Sequence, residues 1–400
     1  MKIEMTEIRD LASKYRNLTA ENLSKLVKIK SLSLGEKEVQ EELMRQMEAA
    51  EFDRVWMDGL GNVIGQIGHG SRVIAFDGHM DTVDTGNLKN WSFDPFSGEI
   101  TDDHVLGRGT VDQKGGVAAF VTAGKILKDL AFDGDMTLYF VGSVIEEDCD
   151  GLCWKYIVEE HNIRPELVVS TEPTDMNIYR GQRGRMEMEV HFYGVSSHGS
   201  APENGKNAIY MASKIALEIE KLNNRLKVDP FLGKGSVTIS EFVSDSPSLC
   251  AVSDYAKIHL DRRLTWGETK ESALAEIQDM IEGLNAKVEI LHYEEIAFTG
   301  LKYGMEKYYP TWKLEADHPK VKVAVNAYEA IFDRSPKVDK WTFSTNGVTI
   351  NGFYNIPVIG LGPGEEALAH SPDEKVSIAD LEGASAFYVS LIFAINSEMG

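Results

Sequence analysis

The sequence predicts an α/β protein, a sheet with helices on both sides, that is interrupted by a smaller inserted domain. Short apolar strands alternate with helical patterns before residue 185 and again after residue 294, and this alternation is typical of an α/β sheet. The segment between them has the order β-α-β-β-α-β, which indicates a ferredoxin-like α+β domain. We therefore predict a main domain built from 1–184 and 295–400, with an insertion at 185–294.

The main domain is predicted to begin with helices. Ser33 and Glu36 have the spacing of a capping box, and Val39, Leu43 and Met47 form one stripe of the helix that follows. Strands are predicted where the chain is apolar over a short run, and one of these runs, 136–145, is apolar almost throughout, as a strand buried on both faces should be. The predicted elements that follow are strand 72–79, helix 115–130, and strands 136–145, 166–171 and 356–362.

The inserted domain shows a different pattern, since residues 186–194 alternate between apolar and polar as a half-buried strand does. The predicted elements after that strand are helix 205–225, strands 235–243 and 255–264, helix 268–284, and strand 287–293.

Composition excludes several classes of protein. The chain is 43% hydrophobic and 26% charged, which is ordinary for a globular protein, and its net charge of -22 would repel nucleic acid and anionic membranes. The first residues are charged rather than signal-like, and we find no apolar run near the ~18 residues of a membrane span. The three cysteines, Cys149, Cys153 and Cys250, are too sparse for a disulfide framework. These features predict a soluble, cytoplasmic protein.

Histidines and carboxylates stand where the predicted strands end. His79 and Asp81 close the first strand, Glu146 and Glu147 directly follow 136–145, and Glu172 follows 166–171. Asp112 lies in the Gly-rich segment GRGTVDQKGG, and His370 lies one loop after 356–362. Each of these residues alone is ordinarily a solvated loop residue. Their recurrence is informative because ligands bind at the carboxyl ends of the strands in open α/β sheets.

Such a convergence of carboxylates calls for bound cations. Neighbouring carboxylates raise one another's pKa, whereas three of them, about -3, would be balanced by two divalent ions, about +4. The mixture of His, Asp and Glu suits Zn²⁺, with Co²⁺ or Mn²⁺ as alternatives. A phosphate-binding loop is disfavoured because Lys114 is followed by Gly115 instead of Ser or Thr, and no GxSxG motif of a serine hydrolase is present.

Six motifs carry a family resemblance that covers nearly the whole chain. In order they are HMDTVDTG, GRGTVDQKGG, the pair Glu146-Glu147, STEPT, SSHGSAPENGKNAI and AHSPDE. They resemble the motifs of the di-zinc peptidase family that includes aminoacylases, acetylornithine deacetylase, succinyl-diaminopimelate desuccinylase, carboxypeptidase G and tripeptidases. With GQRGR at 181–185, the chain looks most like the branch of selenium-metabolism-linked hydrolases.

The resemblance implies a role for each matching residue. Asp112 would bridge two metals, with His79 and Glu172 on one and Glu147 and His370 on the other. Glu146 would be the general base, and Asp81 would orient His79. His198 would stabilise the oxyanion, in dimeric members from the partner subunit. Arg263 is similar to an arginine that binds the substrate carboxylate, and Asn346, in place of the family's Asp, is the other predicted substrate contact. A cis peptide is implied between Asp112 and Gln113.

The resemblance also implies the architecture and the reaction. The expected fold is a mixed sheet sandwiched by helices, a zinc-peptidase-like catalytic domain, with the inserted domain serving as lid and as the contact of a homodimer. The expected activity is hydrolysis of an amide bond in a small amino-acid-derived substrate through a water bridging two zinc-like ions, with a deacylase favoured. A dipeptidase or aminopeptidase, an N-carbamoyl amino acid hydrolase, and an inactive metal-binding homologue remain alternatives.

Overall fold

The computed structural model describes residues 4–397, which form two large sheets and several two-stranded ones, with helices packed against the large sheets. The helices are α1 Met5–Val27, α2 Lys37–Ala49, α3 Lys114–Asp129, α4 Leu152–Glu160, α5 Ala208–Arg225, α6 Lys270–Ile281, α7 Pro319–Phe332, α8 Gly347–Ile350 and α9 Ile378–Ser397. The strands are β1 Arg54–Met57, β2 Val63–Ile67, β3 Arg72–His79, β4 His104–Leu106, β5 Met136–Ser143, β6 Leu167–Ser170, β7 Ile178–Tyr179, β8 Gly181–Gln182, β9 Gly184–Tyr193, β10 Val228–Asp229, β11 Gly233–Lys234, β12 Ser236–Asp245, β13 Tyr255–Leu264, β14 Ala286–Ile290, β15 His292–Tyr293, β16 Met305–Glu306, β17 Tyr308–Tyr309, β18 Trp312–Lys313, β19 Val338–Asp339, β20 Val358–Gly360 and β21 Lys375–Ser377.

The larger sheet has eight strands in the order β1-β2-β5-β3-β6-β20-β7-β19. The central strands β5, β3, β6 and β20 run parallel to one another. The pairs β1–β2, β2–β5 and β20–β7 are antiparallel, and the edge pair β7–β19 is parallel. The sheet is therefore mixed, and the predicted fold class is confirmed. Because the four central strands are parallel, their carboxyl ends meet at one edge, which is where ligands bind in sheets of this kind.

The smaller sheet has the strand order β12-β13-β9-β14, with every pair antiparallel. In chain order its elements are β9, α5, β12, β13, α6 and β14, as predicted for a ferredoxin-like unit. It has its own apolar core, made from alternating residues of β9 and β13 and one face each of α5 and α6. Tyr308–Tyr309 also pairs with β9. The domain boundaries at 184/185 and 294/295 stay a prediction.

Helix α9 is long and apolar enough to cross a membrane, judged by length and composition alone. The sequence prediction missed it because Asp380 and Glu382 interrupt the apolar run near its first turn. Most of α9 is buried, and it packs against α1, α3 and α7. A core helix of a globular protein has these same properties, so α9 is weak evidence for a membrane span.

The region before α2 also differs from the prediction. Helix α2 begins at Lys37, and its cap residue Glu36 makes no side-chain capping hydrogen bond. Ser33 instead donates to Asp81 at 2.7 Å, and Glu36 accepts from the backbone N–H of Ile145 at 3.0 Å. The predicted capping box is wrong because both side chains are used for contacts with distant loops.

Candidate metal centre

The ends of the parallel strands bring the predicted ligands together. His79 is the last residue of β3 and lies beside Ser143, the last residue of β5. Glu146 and Glu147 follow Ser143 after a short turn, and Glu172 follows β6 on the other side of β3. Side chains from three adjacent strands therefore enter one space at the same edge of the sheet.

The carboxylate of Asp112 lies between two histidines. Its Oδ1 is 2.9 Å from His79 Nε2, and its Oδ2 is 3.1 Å from His370 Nε2. Glu172 Oε1 is 3.7 Å from His79 Nε2, whereas Glu147 Oε2 is 3.1 Å from His370 Nε2. The five side chains thus form two groups that share Asp112, with His79 and Glu172 on one side and Glu147 and His370 on the other.

The residues fit divalent cations. Candidate ligand atoms of His79, Asp112 and Glu147, and likewise of His79, Glu146 and Glu172, lie within 4.8 Å of one another. Glu146 Oε1 and Glu172 Oε2 are buried and have no hydrogen-bond partner within residues 4–397. Carboxylate oxygens and imidazole nitrogens are typical ligands of zinc. Buried carboxylates without a partner are also energetically costly unless a cation balances their charge.

The pKa shifts of these side chains also indicate a site for cations. Burial, followed by the charge of Asp112, raises the pKa of Glu172 well above its usual range. Burial and the charges of Asp150, Glu172 and Glu147 raise the pKa of Glu146 as well. The carboxylates of Asp112 and Glu147, which accept hydrogen bonds from the protonated imidazole, raise the pKa of His370 to about 10. The cluster alone would hold extra protons, which divalent cations would replace.

His79 is oriented through its second ring nitrogen. Nδ1 lies 2.8 Å from the backbone carbonyl oxygen of Asp81 and 3.6 Å from the Asp81 carboxylate. The carbonyl is the closer acceptor, so a protonated Nδ1 donates to it and leaves Nε2 to face Asp112. Asp81 does contact His79, as the sequence predicted, but mainly through its main chain.

The carboxylate of Asp81 supports the neighbouring turn instead. It accepts from the backbone N–H groups of Glu146 at 3.2 Å and Glu147 at 3.0 Å. The same turn passes through Ile145 at a φ of 62°, a left-handed conformation that is rare for a β-branched residue. Glu36 holds this residue, and burial together with the charge of Asp81 raises the pKa of Glu36 to about 8. Asp81 and Glu36 thus fix the two consecutive glutamates in place.

The loop that carries Asp112 is held by Glu374, which sequence reasoning missed. Glu374 Oε1 accepts from the backbone N–H groups of Val111 at 2.8 Å and Asp112 at 3.1 Å. Its Oε2 accepts from Arg108 Nη1 at 2.6 Å, and both side chains are buried. The peptide bond between Asp112 and Gln113 is cis, as the resemblance implied. Glu374 lies in the motif AHSPDE, so the motif itself was the available signal.

We expect Glu374→Ala to destabilise the protein strongly. Arg108 would be left as a buried charge without its partner, a change that typically costs about 3–5 kcal/mol. Chemical denaturation followed by circular dichroism measures the free energy of unfolding, with the exposed Glu365→Ala as the control, which we expect to stay within about 0.5 kcal/mol of the parent. A loss below 1 kcal/mol for Glu374→Ala would contradict the role of this ion pair.

A cavity of about 620 Å³ opens above the cluster. Four of the predicted ligands and Glu146 line it, and so do the charged residues Asp150, Asp175, Arg185, Arg263 and Glu366. Arg263, a predicted substrate contact, is therefore at the cavity. Its guanidinium is held by Asp261, with Nε 2.8 Å from Oδ1 and Nη2 3.0 Å from Oδ2.

Asn346, the other predicted substrate contact, lies beneath the site and does not line the cavity. It is 1% exposed and donates to Asp77 at 3.0 Å and to Ser143 at 3.2 Å. Its Oδ1 accepts from the backbone N–H of Gly151 at 2.8 Å. Both ends of the amide are thus used in the interior, and substrate binding by Asn346 stays a prediction.

His198 lies outside the cavity of its own chain. It is exposed in the loop after β9, where Nδ1 accepts from the backbone N–H of Ser200 at 3.1 Å. The structure therefore brings together the five predicted ligands, Glu146 and the main chain of Asp81, but leaves His198 apart from them.

Comparison with known proteins gives consistent matches along the chain. A family model described as peptidase family M20/M25/M40 matches residues 75–394. An uncharacterized protein of Escherichia coli (strain K12), YgeY, is 52% identical over 386 residues, which are 96% of each protein. The acetylornithine deacetylase of Proteus mirabilis (strain HI4320) is 24% identical over 330 residues, 81% of this chain and 80% of the deacetylase. The crystal structure of aminopeptidase PepT from Bacillus cereus superposes with a TM-score of 0.73 at 22% identity, covering 95% of this chain and 98% of PepT.

Proposed function

The chain belongs to peptidase family M20/M25/M40, a family of metal-dependent hydrolases, and on that premise we propose that it cleaves an amide bond with two divalent ions. The observation that carries the proposal is the position of Asp112, whose two oxygens face two different histidines. His79, Asp112 and Glu172 would hold one ion, and Asp112, Glu147 and His370 the other. The ligand types favour Zn²⁺, with Co²⁺ or Mn²⁺ as alternatives.

Bound there, the ions would polarise the substrate carbonyl and lower the pKa of the attacking water. Glu146 would take the proton from that water, and two observations support this role: its Oε1 has no hydrogen-bond partner among the described residues, and it lines the cavity. The same carboxyl then gives the proton to the leaving amine nitrogen, so that amide and water become a carboxylic acid and an amine. Glu147 cannot act in this way because its carboxylate faces His370.

The substrate side of the proposal favours a deacylase acting on a small amino-acid derivative. The acetylornithine deacetylase of Proteus mirabilis aligns over four-fifths of the chain, and aminopeptidase PepT of Bacillus cereus shares the fold. A dipeptidase or aminopeptidase and an N-carbamoyl amino acid hydrolase are the alternatives. A panel of N-acyl amino acids, dipeptides and N-carbamoyl amino acids, offered to the metal-loaded protein, separates them. If metal stimulates hydrolysis of no substrate in the panel, the remaining alternative is that the chain is an inactive metal-binding homologue.

We further propose that His198 stabilises the developing negative charge on the carbonyl oxygen from the partner subunit of a homodimer. Its exposed position away from its own cavity supports a role in trans. The ferredoxin-like unit would form the dimer contact and the lid. A cytoplasmic location stays a prediction.

His198→Ala should retain both metals and turn over about 10²–10³-fold more slowly, the usual effect of losing one oxyanion donor. Mixing it with Glu146→Ala subunits should restore part of the activity, because one site of each mixed dimer then has Glu146 from one chain and His198 from the other. The measurement is kcat before and after subunit exchange. Full activity of His198→Ala alone excludes the oxyanion role, and a mixture as inactive as its components excludes action in trans.

A further inference from the structure

Asp150 is a buried carboxylate that lines the cavity and that the proposed mechanism does not use. It lies three residues after Glu147, and only 3% of its surface is exposed. Its Oδ2 has no hydrogen-bond partner within residues 4–397. A buried oxygen without a donor is costly, so its position in the lining of a substrate cavity suggests that the donor comes with the substrate.

The cation beside Asp150 is largely occupied elsewhere. Arg185 Nη1 is 3.4 Å from Asp150 Oδ1, at the limit of hydrogen bonding, whereas Nη2 is 2.6 Å from Glu187 Oε1. Glu187 is shared with Lys307 at 3.0 Å, so this group of two cations and two carboxylates is neutral as a whole. Arg185 thus balances charge here but leaves Asp150 Oδ2 without a donor.

The rest of the cavity favours a positively charged donor. The carboxylates of Asp112, Glu146, Glu147 and Glu172 would be balanced by two divalent ions, and Arg263 is neutralised by Asp261. Asp175 and Glu366 also line the cavity, and neither forms an ion pair within the described part of the chain. The cavity therefore keeps a negative charge when the metals are bound, which favours a substrate that carries a positively charged group.

We propose that Asp150 Oδ2 accepts a hydrogen bond from an ammonium group of the substrate. This inference rests on the proposed amide hydrolysis and narrows its substrate class. The ammonium can come from two sources, the free α-amino group of a short peptide or the side chain of an N-acylated basic amino acid. Both present the same charged N–H donor to the same carboxylate oxygen.

Two matched substrate pairs test the proposal on the metal-loaded protein. Nα-acetyllysine has a side-chain ammonium that Nα-acetylnorleucine lacks. Alanyl-leucine has an α-ammonium that propionyl-leucine lacks. In at least one pair, the cationic member should have a kcat/KM about 10- to 100-fold higher, the usual effect of a hydrogen bond to a charged group. The pair that shows the difference identifies the source of the ammonium.

Asp150→Asn should remove this preference by lowering kcat/KM for the cationic member alone. Asp148→Asn is the matched control, because Asp148 belongs to the same loop, accepts from Tyr293 at 3.2 Å and does not line the cavity. It should keep the parental ratio. A parent protein without preference in either pair overturns the proposal, and so does an Asp150→Asn variant that loses both members of a pair equally.

Binding gives a readout that is independent of turnover. Calorimetry with the metal-loaded parent should show lysine or alanine binding more tightly than norleucine or propionate, respectively, and Asp150→Asn should abolish the difference. If no substrate is hydrolysed, the proposed function fails, and the binding ratio still decides whether Asp150 recognises an ammonium. Equal binding within both pairs, lysine with norleucine and alanine with propionate, overturns the ammonium site.

Discussion

Replacing Glu146 by Gln should abolish nearly all turnover while both metal ions stay bound. General acid–base catalysis by a positioned carboxyl contributes about 10²–10⁴-fold, and Glu146 would serve both proton transfers, so we expect kcat to fall by about 10³-fold or more. Gln keeps the volume of the side chain but cannot accept the proton. Its effect should therefore appear in kcat rather than in folding.

The adjacent glutamate provides the matched control. Glu147 Oε2 is 3.1 Å from His370 Nε2, so Glu147→Gln should lose one of the two ions, whereas Glu146→Gln should lose neither. Elemental analysis of both purified variants, beside their kcat values, measures this difference. An alternative is that Glu146 binds a metal ion, because its carboxylate also lies close to His79 and Glu172. Loss of one ion from Glu146→Gln, or retained activity, would contradict its assignment as the base.

Replacing Asp112 by Ala should remove both ions, the largest change that one residue in this site can cause. His79 and His370 each contact a different oxygen of its carboxylate, so both proposed sites lose a ligand together. The ions supply several kcal/mol of charge stabilisation in reactions of this type, which corresponds to a loss of at least about 10³-fold in rate. Elemental analysis and hydrolysis of the best panel substrate measure the two effects.

Asp84→Ala is the control for this variant. Asp84 lies five residues after His79 in the sequence, but its side chain is exposed and pairs with Lys30. It should keep two ions per chain. His370→Ala should keep one, because His370 belongs to one group only. If Asp112→Ala retained two ions, Asp112 would not be shared between the sites.

The sequence was sufficient for the residues at strand ends. The predicted strand 72–79 matches β3, and β13 matches its prediction at both ends. Parallel strands with polar residues directly after them must place these side chains at one edge of a sheet. For this reason the sequence alone predicts that His79, Glu146, Glu147 and Glu172 lie close together.

The supporting contacts could not be found in this way, because they join segments that are distant in the sequence. Arg108 and Glu374 are 266 positions apart, and Ser33 and Asp81 are 48 apart. Local sequence patterns cannot indicate a contact between residues that are so far apart in the chain. Ser33 and Glu36 show how a local pattern can mislead. Their spacing is typical of a helix cap, but their side chains form hydrogen bonds with Asp81 and Ile145 instead.

The sequence also did not reveal which polar side chains near the site are buried in the interior and which line the cavity. Asn346 was predicted at the substrate because it stands in place of the family's Asp, yet its amide is enclosed by Asp77, Ser143 and Gly151. Asp150 had no motif to mark it, although it lines the cavity. Whether a polar residue faces the substrate or the interior depends on the packing of the neighbouring strands, which local sequence does not specify.

The most direct test of the account is the metal content of the parent protein together with its dependence on that metal. We expect two divalent ions per chain by elemental analysis, loss of amide hydrolysis on chelation, and recovery when Zn²⁺, Co²⁺ or Mn²⁺ is restored. Recovery should reach its maximum at two equivalents. A protein that purifies without divalent metal, binds none on addition and hydrolyses no member of the panel would contradict the account.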